Sequence, residues 1–184
     1  MTAADEVLGE IEARGEREFL PIIGPDKGKI LAEAIRKAEP KHVLEVGTLI
    51  GYSAILIGKE LDADAEMTTI EIHAKEAKVA EENIRRAGIR PRVNVIVGNA
   101  IKVIPTLKDC FDAVFIDAKK TEYLQYLGLM EVKLHKGTVV VADNAGIFAD
   151  QMQDYLDYVR KSGKYKSTYF HVGDDGVEVS VMLK

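Results

Sequence analysis

The segment Val139 to Gly146, VVVADNAG, runs from apolar residues straight into an acid and an amide, Asp143 and Asn144. A second apolar run, FDAVFID, ends at Asp117, with Lys119 and Lys120 just beyond it. Asp and Asn commonly follow strands because their side chains hydrogen-bond the local backbone in turns. As a set, though, two carboxylates and one amide carbonyl are hard oxygen donors of the kind that hold Mg²⁺, an ion that keeps positions open for water or substrate. Cys and His are missing from the set, which argues against zinc. The set can act together only if the strands ending at Asp117 and Asp143 are neighbours.

Other strand ends add to the picture. In EVGTLIGYS, Gly47 and Gly51 permit a tight turn and a close approach of backbone to ligand, followed by a helix N-terminus. A dinucleotide fingerprint starting at Gly47 needs glycines at 49 and 52, but Leu49 and Tyr52 stand there, so a pyrophosphate cradle is poorly supported. Glu71 closes the next apolar run, MTTIEI, where a carboxylate can accept both hydroxyls of a ribose. Gly98, Asn99 and Ala100 follow a third run and are placed to flank a purine edge. A nucleoside cofactor without a pyrophosphate turn suggests S-adenosylmethionine. A divalent ion beside it suggests an oxygen acceptor that is oriented and deprotonated.

These residues need elements to carry them. Val7, Leu8 and Ile11 recur at helical spacing in a leading helix of about residues 4 to 18, which PIIGPDKG then breaks. A helix of about 26 to 38 follows, with Ile30, Leu31, Ala34 and Ile35 on one face. Strands and helices then alternate: HVLEVG, helix 51–61, MTTIEI, helix 74–87, RVNVIVG, a short helix 100–104, FDAVFID, helix 121–134 and GTVVVAD. A helix of about 150 to 161 and two late strands, YKSTYFHV and VEVSVML, close the chain, and GDDG between them signals a hairpin. The pattern predicts a doubly wound α/β fold: five parallel strands, helices on both faces and a C-terminal antiparallel hairpin. Ligands of such sheets bind outside the carboxyl ends of the strands. One domain is expected over residues 1–184, with about 1–40 as a helical N-terminal cap.

Bulk properties narrow the function. The 184 residues are 47% hydrophobic and 30% charged, ordinary for a globular chain. A net charge of −5 argues against a domain built mainly on phosphate contacts, so nucleic acid is not the expected partner. The most basic stretch, Lys27 to Lys41, also carries Glu33 and Glu39 and reads as a solvated helix face. A single cysteine, Cys110, forms no intrachain disulfide and fits a reducing compartment. No apolar run approaches the ~18 residues of a membrane span, and the polar, acidic N-terminus has no apolar leader core, so a cytoplasmic location is expected.

With these residues in view, the chain resembles the cation-dependent O-methyltransferases, which include the catechol and caffeoyl-coenzyme A enzymes, and is most similar to the catechol branch. LEVGTLIGYSA, TIEI, VFIDAKKTEY, KGTVVVADN and DGVE fall in the family's order and spacing, from GPDKGKIL to the C-terminus. The resemblance implies that Glu45, Gly47, Tyr52 and Ser53 lie around the methionine part of the cofactor, with Ile23 and Thr48 lining it. Glu71 would hold the ribose, and Ile72 with Asn99 and Ala100 would flank the adenine. Asp117, Asp143 and Asn144 match the metal ligands, with Asp117 also beside the cofactor. Lys120 matches the general base, and Glu178 falls where the catechol branch has an acid that contacts the acceptor's second hydroxyl. The implied reaction is Mg²⁺-dependent methylation of a catechol-like small molecule. Members of the family are often dimers, and the leading helix is a candidate interface.

Departures from the pattern bear on the acceptor. Ala118 and Lys119 stand where mammalian catechol enzymes carry a histidine and a tryptophan, and the chain has no tryptophan at all. Ile22, Phe148 and Tyr169 are the candidates to replace the aromatic gate. Short loops predict a more open acceptor site. Two alternatives stay in view: the same chemistry on a modified tRNA nucleoside, and cofactor binding without turnover. Retention of Lys120 and all three candidate ligands argues against the latter, since cofactor binding alone needs none of them.

Overall fold

A computed structural model describes residues 1–184. Seven strands form one sheet: β1 (His42–Val46), β2 (Glu66–Glu71), β3 (Arg92–Val97), β4 (Phe111–Ile116), β5 (Leu134–Asp143), β6 (Tyr165–Val172) and β7 (Asp175–Met182). Their order is β3-β2-β1-β4-β5-β7-β6. The first five pair in parallel, and β7 runs antiparallel to both β5 and β6. The chain leaves β1 toward β2 and β3, then returns to lay β4 on the other side of β1. That reversal opens a crevice at the carboxyl ends of β1 and β4, the place where such sheets bind ligands.

Helices cover both faces. On one lie α1 (Ala3–Gly15), α2 (Gly24–Ala38), α3 (Tyr52–Glu60) and α4 (Ala74–Ala87); on the other lie α5 (Ala100–Val103), α6 (Tyr123–Met130) and α7 (Gln153–Lys161). Two apolar cores result. Val43, Met67, Phe115 and Val141 pack under the first set, and Leu44, Val46, Val114, Ile116 and Val140 under the second. Burial on both faces is why the central strands read as continuous apolar runs without alternation.

Local signals set the helix ends. Thr2 and Asp5 form a capping box at the start of α1, each side chain bonding the other's backbone N–H. Glu39, in the left-handed region at φ 46°, ends α2 just before Pro40. Leu31 and Ile35 of α2 are fully buried. Each contributes about 1.5–3 kcal/mol from apolar burial, so the helix is firmly seated. Lys27 precedes Leu31 by one turn and therefore shares its inward face.

The architecture matches the expected doubly wound sheet, with differences at the element ends. The helix expected over 121–134 is a 3₁₀ turn (Lys120–Glu122), α6 and a second 3₁₀ turn (Glu131–Lys133). Strand β5 begins at Leu134, ahead of the apolar run, and shifts register against β4 between Phe111 and Ala113. Of GDDG, only Gly173 and Asp174 turn, because Asp175 already pairs with Val172. The segment from Lys27 is not uniformly solvated: the Lys29 and Lys37 side chains are 77% and 75% exposed, but that of Lys27 is only 13% exposed.

Candidate active site

A cavity of about 950 Å³ lies over the carboxyl ends of the parallel strands. Backbone bonds across the sheet put its parts in place. The Gly47 N–H donates to the Ile70 carbonyl (3.0 Å), and the Asp117 N–H donates to the Val46 carbonyl (2.9 Å). Gly47 has φ 99°, and a Cβ there would collide with the Asp117 carbonyl group. Glycine is thus required on two counts: its backbone conformation and the approach of the β1 and β4 ends.

The nucleoside side is built around Glu71. Its two oxygens each accept one backbone N–H, from Leu49 (2.8 Å) and His73 (2.9 Å), which fixes the carboxylate and leaves further lone pairs free. Leu49 reaches it by adopting a positive φ of 49°. Ile72 is 58% exposed beside Glu71, an apolar surface facing the cavity. Asn99 spends its side chain as the N-cap of α5, accepting from the Ile101 N–H (2.9 Å), so its contribution to the wall is mainly backbone. Ile23, Gly47, Thr48, Tyr52, Ser53, Asn99 and Ala100 all line the same cavity. Tyr52 turns its hydroxyl away, donating to Glu12 of α1 (2.5 Å).

Glu45 does not reach the cavity and lies fully buried behind its wall. Thr69 donates to its Oε2 (2.5 Å) and stands 2.5 Å from the Thr48 hydroxyl, while Oε1 has no hydrogen-bond partner. Burial pushes this carboxyl up to about 7, against the opposing pull of the Ser53 and Thr69 hydroxyls.

The other half of the cavity gathers the candidate ligands. Ile116 pairs with Ala142, so Asp117 and Asp143 stand side by side at the ends of adjacent parallel strands. Asn144 follows in the left-handed region at φ 61°, a conformation asparagine tolerates better than most residues. Lys120, the first residue of the 3₁₀ turn, donates to Asp117 Oδ1 (2.7 Å) and to the Tyr123 hydroxyl (2.8 Å). Asp117, Lys120, Asp143 and Asn144 all line the cavity that Glu71 lines.

Two residues of this corner escaped the sequence reading. Lys27 Nζ stands 2.6 Å from Asp143 Oδ1 and 2.7 Å from Asp175 Oδ2. Asp175, which looked like a turn residue, accepts from Lys27, from Asn144 Nδ2 (2.7 Å) and from the Gly146 and Ile147 N–H groups. Burial pushes Asp175 up, but these donors outweigh it and hold the carboxyl at about 2. Burial pulls Lys27 down, and the two acids reverse that and leave it raised. The helical spacing of Lys27 to Leu31 and Ile35 was the available signal for an inward lysine.

The donor set fits a divalent cation. No three His, Cys, Asp or Glu side chains gather as a metal-binding group, and the donors here are two carboxylates and an amide. Three acids, Asp117, Asp143 and Asp175, face two ammonium groups, Lys27 and Lys120, which leaves the corner net negative. Asp143 Oδ1 is buried, and the Lys27 ammonium at 2.6 Å is its close partner. Burial first, and the Asp117 charge second, push the Asp143 carboxyl up to about 6. An added cation would relieve that repulsion.

Glu178 is not part of this constellation. It lies within β7 opposite Ala142, fully buried, and is held by Arg160 through two bonds (2.9 and 2.6 Å) and by Ser167 (2.6 Å). Through this paired fork Glu178 joins α7 to the hairpin, and it does not line the cavity where an acid contacting the acceptor's second hydroxyl was expected. Of the gate candidates, Ile22 and Phe148 line the cavity, while Tyr169 donates to the Asp175 carbonyl (2.9 Å) outside it.

Fold and site together define a class, the methyltransferases with a doubly wound sheet. The O-methyltransferase family model matches residues 4–175. The chain belongs to that family, among the S-adenosylmethionine-dependent O-methyltransferases that resemble catechol O-methyltransferase. It is 39% identical over 180 residues to catechol O-methyltransferase B of Danio rerio, covering 91% of this chain and 67% of the relative. It is 35% identical over 185 residues to a catechol O-methyltransferase of Mycobacterium tuberculosis, covering 97% and 83%. The structure of an O-methyltransferase of Streptomyces achromogenes involved in tomaymycin synthesis, in complex with SAM, superposes with a TM-score of 0.87 at 25% identity, covering 97% of this chain and 90% of that one. The chain spans only 60% and 59% of the mouse and bovine catechol O-methyltransferases it matches. No helix is long and apolar enough to cross a membrane.

Proposed function

We propose that this protein is a divalent-cation-dependent enzyme that methylates a hydroxyl of a catechol-like small molecule at the expense of S-adenosylmethionine. The observation that carries the reading is the meeting of Asp117, Asp143, Asn144 and Lys120 in the same cavity as Glu71. S-adenosylmethionine supplies the methyl group, and Mg²⁺, held by Asp117, Asp143 and Asn144, supplies polarisation of the receiving hydroxyl.

The chain's own residues do the rest. Glu71, fixed by two backbone N–H groups, accepts the ribose hydroxyls, while Ile72 and the Asn99–Ala100 turn cover the base. Gly47, Thr48 and Ile23 bound the methionine end. Lys120, held as an ammonium by Asp117, takes the proton of the acceptor hydroxyl onto Nζ once it has released its own to solvent, a release that would be eased by a cation competing for the Asp117 carboxylate. Tyr123 and Asp117 hold Nζ in place for that transfer. Ile22, Ile147 and Phe148 offer the acceptor ring an apolar wall, and holding the reactants in line supplies much of the acceleration. A cytoplasmic setting belongs to the same reading.

The test is transfer of labelled methyl from S-adenosylmethionine to a simple catechol, with Mg²⁺ or with excess chelator. Transfer that requires the cation is expected. Equal transfer under chelation overturns the cation's role, and no transfer by a protein that binds the cofactor overturns the catechol acceptor and directs the assay to tRNA.

A further inference from the structure

Asp175 plays no part in the roles above, yet one of its oxygens bonds two residues of the candidate cation corner while the other is fixed by backbone. Oδ2 accepts from Asn144 Nδ2 and Lys27 Nζ, both at 2.7 Å, and Oδ1 accepts from the N–H groups of Gly146 (3.2 Å) and Ile147 (3.0 Å). An ionised carboxylate only accepts, so the amide facing it must present its NH₂. That commits the nitrogen of Asn144 and leaves Oδ1 as the atom turned elsewhere. The contact is closely fitted, since a Cβ on Gly146 would press on the Asp175 backbone at 2.8–2.9 Å. Lys27, reaching across from α2, touches Asp175 and Asp143 together.

We propose that Asp175 is a positioning residue that locks the Asn144 amide with its oxygen toward the Asp117–Asp143 corner, and that Lys27 clamps Asp175 to Asp143. The inference rests on the cation-dependent reading of the site. Left to rotate, an asparagine amide offers a cation its NH₂ as readily as its oxygen, and only the oxygen is a ligand. Outer residues that orient a ligand in this way are worth about 10- to 100-fold in metal affinity.

The experiment measures Mn²⁺ binding by the EPR signal of the free ion, with S-adenosylhomocysteine affinity as the check on folding. Asp175→Ala is expected to weaken Mn²⁺ binding about 10- to 100-fold while S-adenosylhomocysteine still binds. Asn144→Asp provides the discriminating step, because a carboxylate presents an oxygen whichever way it faces. With Asp175 intact the new carboxylate meets a like charge, so Mn²⁺ affinity falls; in the Asp175→Ala background the same change restores it. A merely structural Asp175 would not produce that reversal. Should Asp175→Ala lose S-adenosylhomocysteine binding, Asp175→Leu, of similar size but with no hydrogen-bonding group, replaces it, with the same expectation. Unchanged Mn²⁺ affinity on loss of Asp175, or an equal effect of Asn144→Asp in both backgrounds, overturns the positioning role alone. Wild-type protein that binds S-adenosylhomocysteine but no Mn²⁺ overturns the cation reading and this inference with it.

Discussion

Lys120 Nζ lies 2.7 Å from Asp117 Oδ1, and only Ala118 and Lys119 separate the two residues along the chain. The candidate base is thereby tied to a candidate ligand, and the buried Tyr123 hydroxyl holds it from the other side at 2.8 Å. A proton acceptor fixed at the point where a hydroxyl would be polarised contributes about 10²–10⁴-fold. Lys120→Met should therefore lower kcat by that order while leaving S-adenosylmethionine affinity near the wild-type value. Steady-state kinetics with calorimetric cofactor titration check this.

Gly47 brings β1 against the end of β4. With φ 99° and the Asp117 carbonyl where a Cβ would go, Gly47→Ala faces both backbone strain and a collision with main chain. Strain of this kind costs about 1–3 kcal/mol, and the collision adds to it. Thermal unfolding should shift down, and S-adenosylhomocysteine binding should weaken because the displaced Asp117 turn forms part of the wall. An unchanged melting temperature would contradict the geometry.

Glu45 predicts a pH dependence of stability whose sign can be worked out. Its carboxyl titrates at about 7 in the folded chain against an ordinary 4.5, chiefly because burial disfavours the charge. The native state holds the proton more tightly, so this contribution is complete below about pH 4.5 and is lost as pH rises through 7. Glu45→Gln, neutral throughout, should match wild type near pH 4 and exceed its stability above pH 8 by roughly 3 kcal/mol, in keeping with the size of the shift. Urea unfolding at the two pH values reads the difference.

Glu178 separates a structural acid from a catalytic one. Doubly bonded to Arg160 and buried within the sheet, it should matter to folding and not to the acceptor. Glu178→Gln is expected to lower the melting temperature and to leave KM for a catechol unchanged. A raised KM with an unaltered melting temperature would return it to the acceptor site.

What the chain alone allowed to be read follows from the range of each interaction. Strand ends at Glu71, Asp117 and Asp143 were readable because an apolar run meeting an acid is a local pattern. Helix 74–87 and strand 165–172 were read to their observed limits, since helical periodicity and β-branched and aromatic content are local too. The start of β5 was not, because Leu134 pairs with Phe111 ahead of the apolar run, across a register shift that no local pattern signals. Lys27 and Asp175 are 148 residues apart in the chain, so each looked ordinary in its own neighbourhood: a lysine in a charged helix, an acid in a turn. Glu178 fell in a matching segment, but its position is decided by Arg160 on α7, which no spacing along β7 reveals.

The most direct measurement is the anomalous diffraction of Mn²⁺ in crystals grown with S-adenosylhomocysteine. The account predicts one strong peak within bonding distance of Asp117, Asp143 and Asn144, with the nucleoside on Glu71 in the same cavity. A cofactor bound at Glu71 with no Mn²⁺ peak at that corner would contradict it, and Asp143 and Asn144 would then be no more than the turn that ends β5.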